Sequence, residues 1–96
     1  MIKNQIRKVV DVDKIPLPDF SLFEEARLYR PMAGKIYRMF PVETHRGCPY
    51  SCSYCNSPAQ RNLHNIEHAG NYFRKRSVSM VKRELEFYKN EWGAEY

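Results

Sequence analysis

The apolar residues of this chain fall into one helical stripe, one alternating run and stretches without a period. The stripe is the clearest: Val78, Val81, Leu85, Tyr88 and Trp92 step by three, four, three and four, which puts them on one face of a helix. Lys82, Arg83, Glu84, Glu86, Lys89 and Asn90 mostly fall off that face. Ser77 suits the cap before it and Gly93 the position past its end, so a helix is predicted between them. The alternating run starts at Lys35. Ile36, Arg38, Phe40 and Val42 share one face of a predicted strand, with Tyr37, Met39 and Glu43 on the other. Pro41 has no N–H for a ladder, which bounds the strand there or puts it on a sheet edge. Upstream, Ser21 with Glu24 three residues on has capping-box spacing and predicts a short helix through Leu28, ended by Arg30-Pro31 and Gly34. Residues 1–18 read as a linker, because charges interrupt Val9, Val10, Val12 and Ile15, and Pro16 and Pro18 fix extended turns. Residues 56–76 read as polar and irregular, with a helical turn near 59–65.

Ninety-six residues allow one domain at most. No apolar run nears the ~20 residues that cross a bilayer, and Met1-Ile2-Lys3-Asn4-Gln5 does not open a secretory signal. A soluble cytoplasmic protein without membrane partners is therefore expected. Sixteen Lys and Arg against eleven Asp and Glu give a net charge of +5, ordinary for a soluble protein and compatible with an anionic partner. The Arg74-Lys75-Arg76 run reads as a solvated loop, and Tyr50, Tyr72 and Phe73 as loop packing, so a nucleic-acid partner is not expected.

A strand that leads by a long loop into an amphipathic helix is the first two-thirds of a βαβ unit. The second parallel strand is missing from the pattern, and a lone strand leaves its backbone groups unsatisfied. The expected fold class is therefore α/β, and the sequence reads as part of a domain.

The chemistry is concentrated in Gly47-Cys48-Pro49-Tyr50-Ser51-Cys52-Ser53-Tyr54-Cys55. Three cysteines, an odd number in one short stretch and without a leader, argue against a disulfide framework and for a metal or redox centre. Thiolates select zinc, copper(I) or iron–sulfur clusters. Structural zinc takes four protein ligands, so here it would need His45, His64 or His68. In a cubic four-iron cluster three thiolates would leave one iron open to a substrate or cofactor, where cysteine-ligated clusters commonly take four.

Cys48-x3-Cys52-x2-Cys55, with Tyr54 directly before the last cysteine, resembles the signature of the radical S-adenosylmethionine (radical SAM) enzymes. Phe40 through Tyr50 resembles the strand and turn that deliver this loop, and Arg74-Lys75-Arg76-Ser77-Val78 the entry to the first barrel helix. Asp11 through Phe20 resembles the linker of members that carry a preceding cobalamin-binding domain. The resemblance implies a fragment of a parallel (β/α) partial barrel: residues 1–34 a linker with a short helix, and 35–96 the first strand, cluster loop and first helix. It implies that Cys48, Cys52 and Cys55 ligate a [4Fe-4S] cluster whose open iron chelates S-adenosylmethionine. One electron would then cleave the cofactor to methionine and a 5′-deoxyadenosyl radical. Tyr54 would lie by the adenine, with its backbone as a hydrogen-bonding partner.

It also implies an electron donor and, in a full-length enzyme, cobalamin, with methyl transfer or rearrangement as the reaction. A barrel of this kind needs on the order of 200 residues. The glycine-rich motif of the second strand and the Asp-x-His-x2-Gly signature of a cobalamin domain are both missing here, so no catalytic residue is assigned. The chain is expected to be truncated and inactive without the rest of the barrel. The alternative is a small zinc-binding module that contacts nucleic acid.

Overall fold

The computed structural model describes residues 4–96, so the first three residues of the expected linker lie outside the described residues. In chain order the elements are β1 (Tyr29–Met32), β2 (Lys35–Arg38), β3 (His45–Arg46), α1 (Ser57–Ile66), β4 (Arg74–Lys75) and α2 (Val78–Trp92), with short 3₁₀ turns before β1. They form two compact units, each discontinuous in sequence: one holds the residues up to Ile15 with Thr44–Arg76, the other Pro16–Glu43 with Ser77–Tyr96. No helix among the described residues is long and apolar enough to cross a membrane.

The second unit is built on aromatic rings. Phe20, Leu28, Phe40 and Tyr88 are its buried core, with Val42, Phe87, Trp92 and Ala94 packed against them. Phe20 meets Phe40 and Tyr88 edge-on, at centroid distances of 5.0 and 5.4 Å, and Phe40 stacks on Tyr88 at 5.3 Å. In α2 the side chain of Ser77 accepts from the Met80 N–H, and Gly93 ends the helix in the left-handed region at φ +62°, as the sequence predicts. Its buried face is turned from the predicted stripe. Tyr88 is 1% exposed, but Val78 is 85% exposed and Glu84 is buried. Tyr88 supplies the reason, since its hydroxyl donates to the Glu84 carboxylate one turn back.

The predicted helix at Ser21 is instead two 3₁₀ turns, Phe20–Leu22 and Glu25–Leu28. Asp19, not Ser21, supplies the cap by accepting from the Ser21 N–H, and such a local bond favours a turn over a helix. Arg30 and Pro31, expected to end a helix, lie in β1, which pairs antiparallel with β2. The connecting Ala33 and Gly34 both have positive φ, as a two-residue hairpin turn of matching twist requires. The predicted strand stops at Arg38, short of Pro41. Phe40 and Val42 keep the predicted inward face, while Ile36 is exposed.

Beyond β2 the backbone finds another partner. The Glu95 N–H donates to Arg38 O at 2.9 Å and the Phe40 N–H to Tyr96 O at 3.2 Å. The bonds advance in the same direction along both segments, the sense of a parallel pairing. The Glu95 carboxylate also accepts from the Arg38 N–H.

The first unit is thin. Its buried hydrophobic side chains among the described residues are Val12 and Ala69. Val12 opens a 3₁₀ turn capped by Asp11, and the Val9 N–H donates to Ala69 O at 2.8 Å, so the expected linker contributes to packing here. Residues 57–66 form a longer helix than the predicted turn, with Pro58 in its first turn, where no backbone donor is required. The helix ends with crossed backbone bonds, Ala69 N–H to His64 O and His68 N–H to Asn65 O. His68 sits in the left-handed position between them at φ +49°, which glycine usually fills and where a side chain costs about 1 kcal/mol.

Candidate metal centre

β3 and β4 pair antiparallel, His45 opposite Lys75 and Arg46 opposite Arg74, and the Arg76 N–H donates to Thr44 O at 3.0 Å. This two-rung ladder closes the base of the cysteine loop. Gly47 follows at φ +88°, so near the Tyr72 carbonyl that a Cβ would stand 2.3 Å from its oxygen. Glycine is required here both by conformation and by space. His45 is exposed, with Nδ1 3.1 Å from Thr44 Oγ1 and its ring edge-on to Phe73.

The loop carries the three predicted cysteines as free thiols, Cys48 and Cys52 half-buried and Cys55 exposed. The Cys55 N–H donates to Cys52 O at 3.2 Å and closes Cys52-Ser53-Tyr54-Cys55 as a turn. Tyr54 lies on that turn and is 92% exposed. No group of three or more His, Cys, Asp or Glu side chains among the described residues is gathered to hold a metal ion. The thiols therefore share a loop without meeting at a point. As a donor set they fit a thiolate-ligated centre: three soft ligands on one accessible loop.

Two residues outside the predicted set organise the loop. Arg61, one turn into α1, donates through Nη1 to Pro49 O at 2.7 Å and through Nη2 to Ser51 Oγ at 2.7 Å, with Nη1 also 3.4 Å from Tyr50 O. Its planar fork thus holds the backbone between Cys48 and Cys52. Nothing local in the sequence marks Arg61, because its partners lie ten to twelve residues away. Ser57, at the start of α1, donates its backbone N–H to Cys55 Sγ at 3.4 Å. That bond, aided by the Ser57 side chain, holds the Cys55 thiol below its ordinary pKa by favouring the thiolate. Alkylation of Cys55 by iodoacetamide is accordingly expected to persist at lower pH than that of an unstructured cysteine peptide. Mass-spectrometric pH–rate profiles test this, and coincident profiles would refute the role of Ser57.

Comparison with known proteins adds one likeness to this geometry. Over 76 residues, 79% of its length, the chain is 30% identical to bacteriochlorophyllide d C-12(1)-methyltransferase of Chlorobaculum tepidum. The chain spans 14% of that enzyme's length. No family model and no solved structure matches it. The likeness is thus to one part of a methyltransferase, and it extends well beyond the cysteine loop.

Proposed function

We propose that this chain is the cluster-loop segment of a radical SAM enzyme, with Cys48, Cys52 and Cys55 as ligands of a [4Fe-4S] cluster. The observation that carries the reading is the Cys-x3-Cys-x2-Cys spacing on a single loop held by other groups: Gly47 at its base, Arg61 on the backbone at its middle and Ser57 on the Cys55 thiol at its end. When bound, such a cluster supplies the electron that cleaves S-adenosylmethionine to methionine and a 5′-deoxyadenosyl radical.

The chain's own residues have positioning roles. Three cysteines would hold such a cluster with one iron free of protein ligands, and the Ser57 N–H stabilises charge on the Cys55 sulfur, which would suit it as a ligand. Arg61 fixes the loop between the first two ligands without offering a competing thiol or imidazole. Tyr54 presents backbone and ring at the loop surface, where an adenine could be met.

The fold reading is a strand–cluster loop–helix entry to a parallel (β/α) barrel. It is supported by the strand–loop–helix order and by the parallel sense of the bonds joining Arg38 and Phe40 to Glu95 and Tyr96. The likeness to a methyltransferase favours methyl transfer over rearrangement. Cobalamin, an electron donor and the remaining barrel complete the proposal. Free thiols agree with a reducing, cytoplasmic setting.

The test is anaerobic reconstitution of the 96-residue chain with iron and sulfide, with a variant lacking all three cysteines as the blank. One cubic cluster per chain is expected, and its reduced electron paramagnetic resonance signal should change when S-adenosylmethionine is added. Tight one-to-one zinc uptake with no cluster would favour the zinc module and overturn the assignment.

A further inference from the structure

Two of the three thiols in the cysteine loop are brought together by more than spacing. The Cys55 N–H donates to Cys52 O at 3.2 Å, and a four-residue turn of this kind keeps its end Cα atoms within about 7 Å. Disulfides form at Cα separations of about 4.4–6.8 Å, so the backbone of this pair is held near bridging range. Among the described residues no backbone bond closes Cys48 to either of the others. Arg61 instead ties the stretch after Cys48 to α1, at Pro49 O and Ser51 Oγ. The paired thiols also differ in access. Cys55 is exposed and accepts from the Ser57 N–H at the first residue of α1, while Cys52 is half-buried. Asn56, at the N-cap position, makes no side-chain cap, so the Cys55 sulfur serves an otherwise open helix end.

We propose that Cys52 and Cys55 form a reversible dithiol–disulfide pair, with Cys55 as the attacking thiol and Cys52 as the resolving one. The co-reactant is a small disulfide of the glutathione type. The Cys55 sulfur, its proton released to solvent, attacks one sulfur of that disulfide and expels one thiolate, giving a mixed disulfide. The Cys52 sulfur, deprotonated in turn, attacks Cys55 Sγ, and the second small thiolate leaves. Two electrons thus pass to the small disulfide, which becomes two thiols by taking up the two protons, and one S–S bond closes the turn. Such a bridge is transient and redox-sensing, not a structural framework. It stands on the loop geometry alone and needs no cluster. Where the loop serves the cluster proposed above, oxidation withdraws two of its three ligands, so reduction must precede loading.

The test exposes the full, metal-free chain to oxidised glutathione, caps the remaining thiols with N-ethylmaleimide and maps the bridges by mass spectrometry. Chymotrypsin cuts after Tyr50 and Tyr54, which places the three cysteines on separate peptides. Peptides joined from Cys52 to Cys55 should outnumber both other pairings together, and reduced glutathione should reverse the bridge. In concentrated urea, where the turn and α1 are lost, that preference should fall. Cys48→Ser should retain the bridge, whereas in Cys52→Ser the glutathione should remain on Cys55 as the mixed disulfide. If no bridge forms, if Cys48 takes part in most bridges, if urea leaves the distribution unchanged, or if Cys52→Ser holds no glutathione on Cys55, the proposal is wrong. Iron and sulfide uptake by the reduced chain is a separate readout, so the bridge and the cluster assignment can fail independently.

Discussion

Alanine at Gly47 is expected to unfasten the base of the cysteine loop and to cost about 3 kcal/mol. Two penalties combine at this position. The residue stands at φ +88°, and the added Cβ would lie 2.3 Å from the Tyr72 oxygen, 2.9 Å from its carbonyl carbon and 3.2 Å from the Phe73 Cα. All three are backbone atoms, so no side-chain rotation relieves the overlap. Moving Tyr72 and Phe73 away from the clash would also carry β4, which follows them directly, away from β3, breaking the Arg46–Arg74 rung. Amide exchange at Arg76, whose N–H is bonded to Thr44 O, should accelerate accordingly. Gly34→Ala is the control: its φ is +76°, but nothing lies within 4 Å of the new Cβ. That variant should lose only the conformational part, about 1 kcal/mol. If both substitutions cost the same in urea unfolding, the close approach at Gly47 is refuted.

Tyr88→Ala should damage the second unit more severely, by about 3–5 kcal/mol. Its ring is 1% exposed and is shared between Phe20 and Phe40, so truncation opens a cavity in a core of few residues. The hydroxyl adds a separate contribution, because Glu84 is 3% exposed and accepts from it. Tyr88→Phe keeps the packing and deletes that donor, for which a loss of about 1–3 kcal/mol is expected. Against a total stability on the order of 5–15 kcal/mol, the alanine variant should lose a large fraction of this unit's stability. Trp92 packs against Phe20 at 6.0 Å, so its fluorescence during urea unfolding reports the change. A loss below about 1 kcal/mol for Tyr88→Ala would remove Tyr88 from the centre of this core.

How far the sequence predicts the structure differs from element to element, for physical reasons. α2 was legible because its period, its serine cap and its terminal glycine agree. The width of its buried face was not. Glu84 reads as polar surface until the Tyr88 hydroxyl is placed opposite it, and a period cannot report a partner. The hairpin was hidden because Arg30-Pro31 and Gly34 are breakers in a helical reading, and because Ala33 is an uncommon residue for a turn position with positive φ. At the cysteine site the spacing was legible, being a property of adjacent residues. Arg61 and Ser57 were not, since their roles depend on how α1 returns to the loop.

The ladder that joins Thr44 to Arg76 has a bearing on how the chain tolerates injury. It brings together the two ends of the long segment that interrupts the aromatic unit, so that segment is a loop already closed by its own hydrogen bonds. Most of the entropy of closing a loop depends on its ends and only weakly on its length. Insertions near the tip, around Ser53 and Tyr54, should therefore burden the aromatic core little, while a cut or a mismatch at the two rungs would transmit the whole freedom of the segment to it. The ladder thus acts as a firebreak: it lets the cysteine loop vary in length and content while the aromatic core stays as it is.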